Sequence, residues 1–215
     1  MIKAHIFQRR TLGILGITLP FMVLLIGRFG NNAPGWYYSI SASAYTNAAP
    51  WFLATMGAVG WFLIAYAFYA YKEYGKLDFA INFASGVCAL VVAFFPCFTS
   101  IKITSVGLIP LSVKVSSVIH NVSAAAFFGL LTSNILFLFT KSAGAPTAEK
   151  LKRNLVYRIC GSGMLAFIIS QIVTAKIGVD GPATMINETG MLICFGVAWL
   201  VKGEATLKDK SAAGS

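Results

Sequence analysis

The sequence predicts an all-α, polytopic membrane protein in which six transmembrane helices form one bundle. Three observations support this fold class: the composition, a series of long uncharged stretches, and the placement of the basic residues between them. Of the 215 residues, 57% are hydrophobic and only 11% are charged. Soluble domains carry about a quarter charged residues. Apolar content on this scale is what a bilayer requires.

Six apolar stretches between charged residues are each long enough to cross a bilayer, since a span needs about 20 residues. They are too long and too uniform for the alternating strands of a barrel. The single transmembrane domain is expected over residues 1–201, and a disordered cytoplasmic tail over 202–215. The predicted helices cover residues 11–28, 51–71, 79–101, 115–140, 156–175 and 183–201.

The basic residues fall mainly on one side of these spans. Thirteen of the 17 lysines and arginines lie in the termini and the loops after helices two and four, and four lie on the other side. This bias predicts both termini in the cytoplasm and a location in the cell inner (plasma) membrane. The net charge of +10 is divided among short groups. We therefore expect membrane lipids as partners and no nucleic acid, and the sequence carries no signal for an oligomeric state.

Small residues recur where helices are expected to approach each other closely. In lipid, close van der Waals contact holds helices together, so small residues favour tight crossings. No internal repeat of the kind found in many transporters is evident. The glycines of this pattern are Gly13, Gly16, Gly57, Gly60, Gly86, Gly161 and Gly163.

The first outer loop, residues 31–50, is long and uncharged. It contains Trp36, Tyr37, Tyr38 and Tyr45, and such aromatic residues favour the membrane–water boundary. We expect this loop to fold onto the outer rim of the bundle. Loops of this length are often functional, although a belt that only anchors the bundle is an equal alternative.

Glu188 lies inside helix six, past its first turn. A charge at mid-membrane costs about 2.5 to 3.5 kcal/mol on insertion scales, and such residues usually face the bundle interior and serve function. The structural alternative is that an acid near a helix N-terminus complements the helix dipole. We favour a functional role.

His120 lies at a similar depth in helix four. Ser116, His120 and Ser123 form a polar stripe at helical spacing, with Asn134 deeper on the same face. A histidine alone is more often a core residue bonded to a neighbouring helix. A second ionisable group at the same depth, Glu188, favours a shared site.

Other polar side chains near the outer end could complete such a site. Serines 39, 41 and 43 of the outer loop offer a hydroxyl nucleophile, because a serine, a histidine and an acid can act together. Arg28 could pair with Glu188 or a lipid phosphate, or extend to the interface. Gln171 lies near the outer end of helix five. One histidine with one glutamate is too few ligands for zinc, and no CxxC spacing is present, so no metal or cofactor is expected.

Several segments resemble a known group of proteins. "SVIHNVSAAAFFGLL", "RNLVYRICGSGML" and "NETGMLICFGVAWLVKGE" resemble an uncharacterised bacterial family of six-helix membrane proteins. More distantly they resemble the DRAM/Sfk-type family, which includes autophagy modulators and a factor in lipid remodelling of GPI anchors. The resemblance implies that Ser41, His120 and Glu188 are the functional positions. The eukaryotic motif reads Ile-Ser-Asp, whereas this chain has Ala42 after Ile40 and Ser41.

The leading hypothesis is a protein that binds, and in one version hydrolyses, a lipid or lipid-like molecule in an outer-leaflet pocket. In the hydrolytic version Ser41 or a water is the nucleophile, His120 the base and Glu188 the residue that orients it. The alternatives are a non-catalytic scaffold or regulator and a small proton-coupled transporter. The expected ligand-binding residues are Arg28, Tyr45, Ser116, Ser123 and Gln171.

Overall fold

The computed structural model describes residues 4–30, 39–142, 144–179 and 181–207, and of residues 28–30 it describes the main chain alone. Within these ranges the regular structure is helical, which confirms the all-α prediction. Six helices are long and apolar enough to cross a membrane. Their outward faces carry large exposed apolar side chains, such as Trp61, Val122 and Ile159. A bundle with this surface is a multi-pass membrane protein.

The helices extend beyond most of the predicted apolar spans, because charged residues mark the edge of the hydrocarbon region and do not end a helix. Prolines at the first turns of α2 and α6 occupy positions where a backbone N–H has no helical partner. The helices are α1 (Ala4–Gly30), α2 (Ala49–Tyr74), α3 (Lys76–Phe94), α4 (Val113–Ser133), α5 (Ala148–Lys176) and α6 (Pro182–Lys202).

The helices form a ring in the order α4, α3, α2, α1, α6, α5. Helix α5 contacts α4 and so closes the ring, but this contact is less extensive than those between the other neighbours.

Glycine pairs allow two of the tightest crossings. A Cβ atom at Gly13 would lie 2.7 Å from the carbonyl oxygen of Gly196, and one at Gly60 would lie 2.9 Å from that of Gly86. The prediction for Gly57 was wrong, because a Cβ atom there would meet nothing within 4 Å.

Helix α3 ends at Phe94, seven residues before the predicted boundary at residue 101. The reason is Pro96. A proline disfavours the α conformation of the residue before it, and Phe95 is accordingly extended, with φ −117° and ψ 98°. The chain then turns back, so that the N–H of Leu108 donates to the carbonyl oxygen of Phe94 at 2.9 Å. This break determines which main-chain groups reach the candidate site.

Polar residues deeper in the bundle join helices to each other. Asn134 Nδ2 donates to Asn82 Oδ1 at 2.7 Å, and Asn82 Nδ2 donates to the carbonyl oxygen of Asp78 at 2.7 Å. Asn134 also begins a π turn after α4, in which its carbonyl oxygen accepts from the N–H of Phe139 at 3.0 Å. Both asparagines are buried and bonded to each other, as expected for a link between helices.

One end of the bundle, which we name the basic end, contains the N-terminus of α1 and the C-terminus of α6. Arg10 Nε donates to the carbonyl oxygen of Gly203 at 2.8 Å, and Arg153 Nη1 donates to that of Leu207 at 3.1 Å. Residues 203–207 are therefore folded against α1 and α5, contrary to the disorder expected from residue 202 onward. Residues 208–215 lie outside the described ranges. The opposite end, which contains residues 39–45, is named the loop end.

Candidate functional site

Three successive carbonyl oxygens at the broken end of α3 accept hydrogen bonds from three separate side chains. His120 Nδ1 lies 2.7 Å from the oxygen of Phe95, Ser116 Oγ donates to that of Pro96 at 2.8 Å, and the Tyr45 hydroxyl donates to that of Cys97 at 2.7 Å. These carbonyls follow the last helical residue, Phe94, so no further turn of α3 supplies their donors. The break at Pro96 therefore holds α4 and the loop segment 39–45 against the end of α3.

Ser41 and His120 form a hydrogen-bonded pair. Ser41 is the first residue of a short 3-10 turn, Ser41–Tyr45, and its Oγ lies 2.9 Å from His120 Nε2. A carbonyl oxygen can only accept, so the bond to Phe95 places the ring hydrogen on Nδ1 of a neutral imidazole. Nε2 is then an acceptor, and Ser41 donates to it. This is the arrangement by which a base activates a hydroxyl nucleophile. The exposed fractions are 7% for Ser41 and 3% for His120.

Glu188 contacts the same segment from α6. Its Oε2 accepts from the main-chain N–H of Ile40 at 2.6 Å. The orienting position on the His120 ring, which the sequence hypothesis gave to Glu188, is occupied by the carbonyl oxygen of Phe95. Glu188 instead holds the residue next to Ser41. The three residues singled out in the sequence thus meet at the loop end, with a different division of roles.

A cavity of about 450 Å³ opens beside this pair between α4, α5 and α6. Ser41, His120 and Glu188 all line it. Most of the remaining wall is apolar, and Ala125 and Ile172 are exposed residues of that wall. The cavity therefore opens sideways between α4 and α5, onto the surface of the bundle that faces lipid. The remaining lining residues are Ser39, Cys97, Asn121, Ala124, Phe128, Ile168, Gln171, Ala175, Thr184 and Met191.

The Cys97 thiol is a second nucleophilic group in the cavity wall. Burial, with a contribution from the nearby carboxylate of Glu188, raises its pKa to about 12. At neutral pH the thiol is therefore protonated, and the protonated form is a poor nucleophile. Burial likewise raises the pKa of Tyr45 to about 12, so its hydroxyl stays a donor to Cys97. Ser41 is the nucleophile that has a base beside it.

The predicted ligand-binding residues have different positions. Gln171 lines the cavity and is held by bonds of 3.1 Å with Thr184 and Asn187. Tyr45 and Ser116 bond to the end of α3, and the structure does not place them or Ser123 in the cavity wall. The side chain of Arg28 lies outside the described residues, as do Trp36, Tyr37 and Tyr38 of the outer loop.

The main-chain acceptors of residues 95–97 are the part of the site that we did not predict. A signal for them is present in the sequence, because Pro96 lies inside the uncharged stretch from residue 79 to 101 and disfavours helix at Phe95. That signal would have shortened helix three. It would not have indicated which side chains reach the freed carbonyls.

The combination at the loop end is thus a buried serine–histidine pair, a main-chain carbonyl that fixes the tautomer, a carboxylate on the neighbouring loop and a laterally open apolar cavity. The resemblance to DRAM/Sfk-type proteins bears on the same three residues and stays a prediction. Comparisons of the chain with protein-family models, with curated proteins and with solved structures find no match.

Proposed function

We propose that this protein is a membrane-embedded serine hydrolase that cleaves an ester bond of a lipid bound in the cavity at the loop end. The single observation that carries the proposal is the bond between Ser41 Oγ and His120 Nε2, in a ring whose Nδ1 is held by Phe95. A hydroxyl alone is a weak nucleophile, and an adjacent base of the correct tautomer is what activates it.

In the proposed reaction Ser41 Oγ attacks the ester carbonyl carbon while its proton passes to His120 Nε2. The imidazolium that forms is stabilised by the carbonyl oxygen of Phe95. Asn121, which lines the cavity next to His120, offers a side-chain amide to the developing oxyanion. Collapse of the tetrahedral intermediate breaks the ester C–O bond, and His120 returns the proton to the departing alcohol. Water, deprotonated by His120, then hydrolyses the acyl-serine.

The form of the cavity favours a lipid as the substrate. Its volume lies within the roughly 300 to 1,000 Å³ of ordinary ligand sites, and its wall is mainly apolar but includes several polar side chains. Exposed Ala125 and Ile172 border the opening, so an acyl chain can enter from the bilayer. With the orientation expected from the basic residues, the loop end faces outward and the substrate is an outer-leaflet lipid of the inner (plasma) membrane.

The proposal is tested by labelling the purified protein with a long-chain alkyl fluorophosphonate and by assaying release of fatty acid from phosphatidylcholine in nanodiscs. We expect a covalent adduct on Ser41 that is lost in Ser41→Ala. Ser123→Ala is the matched control, because it removes a hydroxyl at the same general depth outside the cavity wall. Equal labelling of Ser41→Ala and the unmodified protein, or no fatty acid release by either, would contradict the proposal.

A non-catalytic scaffold is the second candidate, and one observation favours it. The bonds of His120 to Ser41 and of Glu188 to Ile40 both fasten the loop segment to helices. In that case the three polar residues serve only to hold the bundle together. Ser41→Ala would then lower the thermal stability while the unmodified protein fails to react with the fluorophosphonate.

A further inference from the structure

The basic end of the bundle contains a second cavity, of about 180 Å³, between α1, α2, α5 and α6. Glu188 and Lys202 are separated by 14 residues of α6, or about 21 Å along the helix, so this cavity is remote from the serine–histidine pair. The following inference does not depend on the proposed hydrolase activity. The lining residues are Arg9, Tyr74, Arg153, Tyr157, Val201, Lys202 and Glu204.

Arg9 is a buried cation whose bonds all go to neutral oxygens. Its side chain is 5% exposed, yet Nη1 donates to the carbonyl oxygen of Lys202 at 3.2 Å and Nη2 to the hydroxyls of Tyr66 and Tyr74, each at 3.3 Å. The Nε–H group is buried and has no hydrogen-bond partner. A buried guanidinium without a counter-charge is costly, so this arrangement leaves a place for an anion.

Two further cations line the same cavity. The Lys202 ammonium lies 5.0 Å from the ring centre of Tyr74 and 4.9 Å from that of Phe139. Among the residues that the structure describes, no carboxylate lies within salt-bridge distance of Arg9 or Lys202. Arg153 also lines the cavity and donates to the carbonyl oxygen of Leu207, and Glu204 is the single carboxylate among the described lining residues. Basic side chains therefore outnumber carboxylates in the described part of the wall.

We propose that this cavity binds a phosphate monoester group or inorganic phosphate. The buried guanidinium of Arg9, which has no carboxylate within salt-bridge distance among the described residues, favours an anion. The guanidinium N–H groups of arginine and the hydroxyls of tyrosine can donate hydrogen bonds to the oxygens of a phosphate. The cavity is too small for an acyl chain. Its wall is largely polar, whereas the wall of the cavity at the loop end is mainly apolar. The phosphate belongs either to a soluble anion or to the headgroup of a lipid such as phosphatidic acid.

Thermal unfolding and calorimetric titration of the full chain in detergent, with inorganic phosphate replacing chloride at constant ionic strength, test the site. Arg153→Gln and Lys202→Met each remove one lining charge, and each is expected to weaken phosphate binding about tenfold or more. Arg158→Gln removes the same charge from an exposed position of α5 outside the cavity wall and should bind phosphate as the unmodified chain does. Circular dichroism confirms that each variant is folded.

A second arm identifies the source of the phosphate. The same variants are compared in nanodiscs of phosphatidylcholine with and without phosphatidic acid. Saturable binding of inorganic phosphate that depends on Arg153 and Lys202 supports the site with a soluble anion. A response to phosphatidic acid alone, with the same dependence, supports it with a lipid headgroup. The inference is overturned if neither probe stabilises the chain saturably, or if Arg158→Gln loses as much binding as Arg153→Gln.

Discussion

His120 shows how a main-chain group can select the chemistry of a side chain. The carbonyl oxygen of Phe95 accepts from Nδ1 and thereby leaves Nε2 free to accept from Ser41. In many serine hydrolases a carboxylate performs this orienting function. A carbonyl carries only a partial negative charge, so it orients the ring and stabilises the imidazolium less strongly than a carboxylate would.

Replacement of His120 tests whether its Nε2 atom activates Ser41. We expect His120→Asn to slow the labelling of Ser41 by the fluorophosphonate by about 10² to 10⁴-fold, which is the usual contribution of a general base. The asparagine amide nitrogen takes the place of Nδ1 and can still donate to Phe95, so α4 should stay in place. The labelling rate, measured beside that of Ser123→Ala, checks this. An unchanged rate would show that His120 does not activate Ser41.

Glu188 positions the loop segment 39–45, because its carboxylate oxygen accepts a hydrogen bond from the main-chain N–H of Ile40. Glu188→Ala leaves the Ile40 N–H without that acceptor, which costs about 1 to 3 kcal/mol, whereas Glu188→Gln keeps a side-chain oxygen at the same reach. We expect faster amide hydrogen exchange over residues 39–48 in the alanine variant and little change in the glutamine variant. Similar exchange in both variants would contradict a positioning role for this oxygen.

At the scale of elements, the end of α3 determines the loop end of the molecule. Pro96 stops the helix inside an apolar stretch, and the three freed carbonyls bond to α4 and to the 3-10 turn. A continuous helix would have used its own N–H groups for most of these acceptors. The same proline therefore shortens a span and supplies the site with its main-chain acceptors.

The crossing of α2 and α3 depends on the glycine pair Gly60 and Gly86, and Gly57 of α2 provides a control position outside the crossing. A Cβ atom at Gly60 would lie 2.9 Å from the carbonyl oxygen of Gly86, whereas one at Gly57 would meet nothing within 4 Å. We expect Gly60→Ala to destabilise the protein by about 1 to 3 kcal/mol. Gly57→Ala should be neutral or stabilising by roughly 0.5 to 1 kcal/mol, because alanine is the better helix former. Thermal unfolding in detergent distinguishes them, and equal effects would exclude the tight crossing.

At the scale of the whole molecule, the two ends of the bundle differ in chemistry. The loop end combines a nucleophile, a base and an apolar cavity, and the basic end combines three cations with phenolic hydroxyls. The cavity at the loop end lies beside the α4–α5 contact, where the ring is closed least extensively. An asymmetric bundle of this kind can expose different ligand sites to the two sides of a membrane.

The orientation of the bundle is a prediction that reporter fusions can test. With the basic end in the cytoplasm, green fluorescent protein attached after residue 215 should fluoresce, and alkaline phosphatase attached there should be inactive. Alkaline phosphatase inserted in the segment between α3 and α4 should be active. The opposite pattern would place the serine–histidine pair on the cytoplasmic side and would exclude an outer-leaflet substrate.

The sequence by itself determined the six spans and the residues that did not belong in them. Lipid cannot satisfy backbone polar groups, so helix number follows from local apolar length, and the depth of His120 and Glu188 follows from their distance to the span ends. Only the tertiary structure decided what these residues contact. Three features depend on which helices are neighbours: Ser41 meets His120, Phe95 rather than Glu188 orients the ring, and no carboxylate of the described residues pairs with Arg9. Contacts between distant parts of the chain arise from packing, which no local pattern of residues encodes.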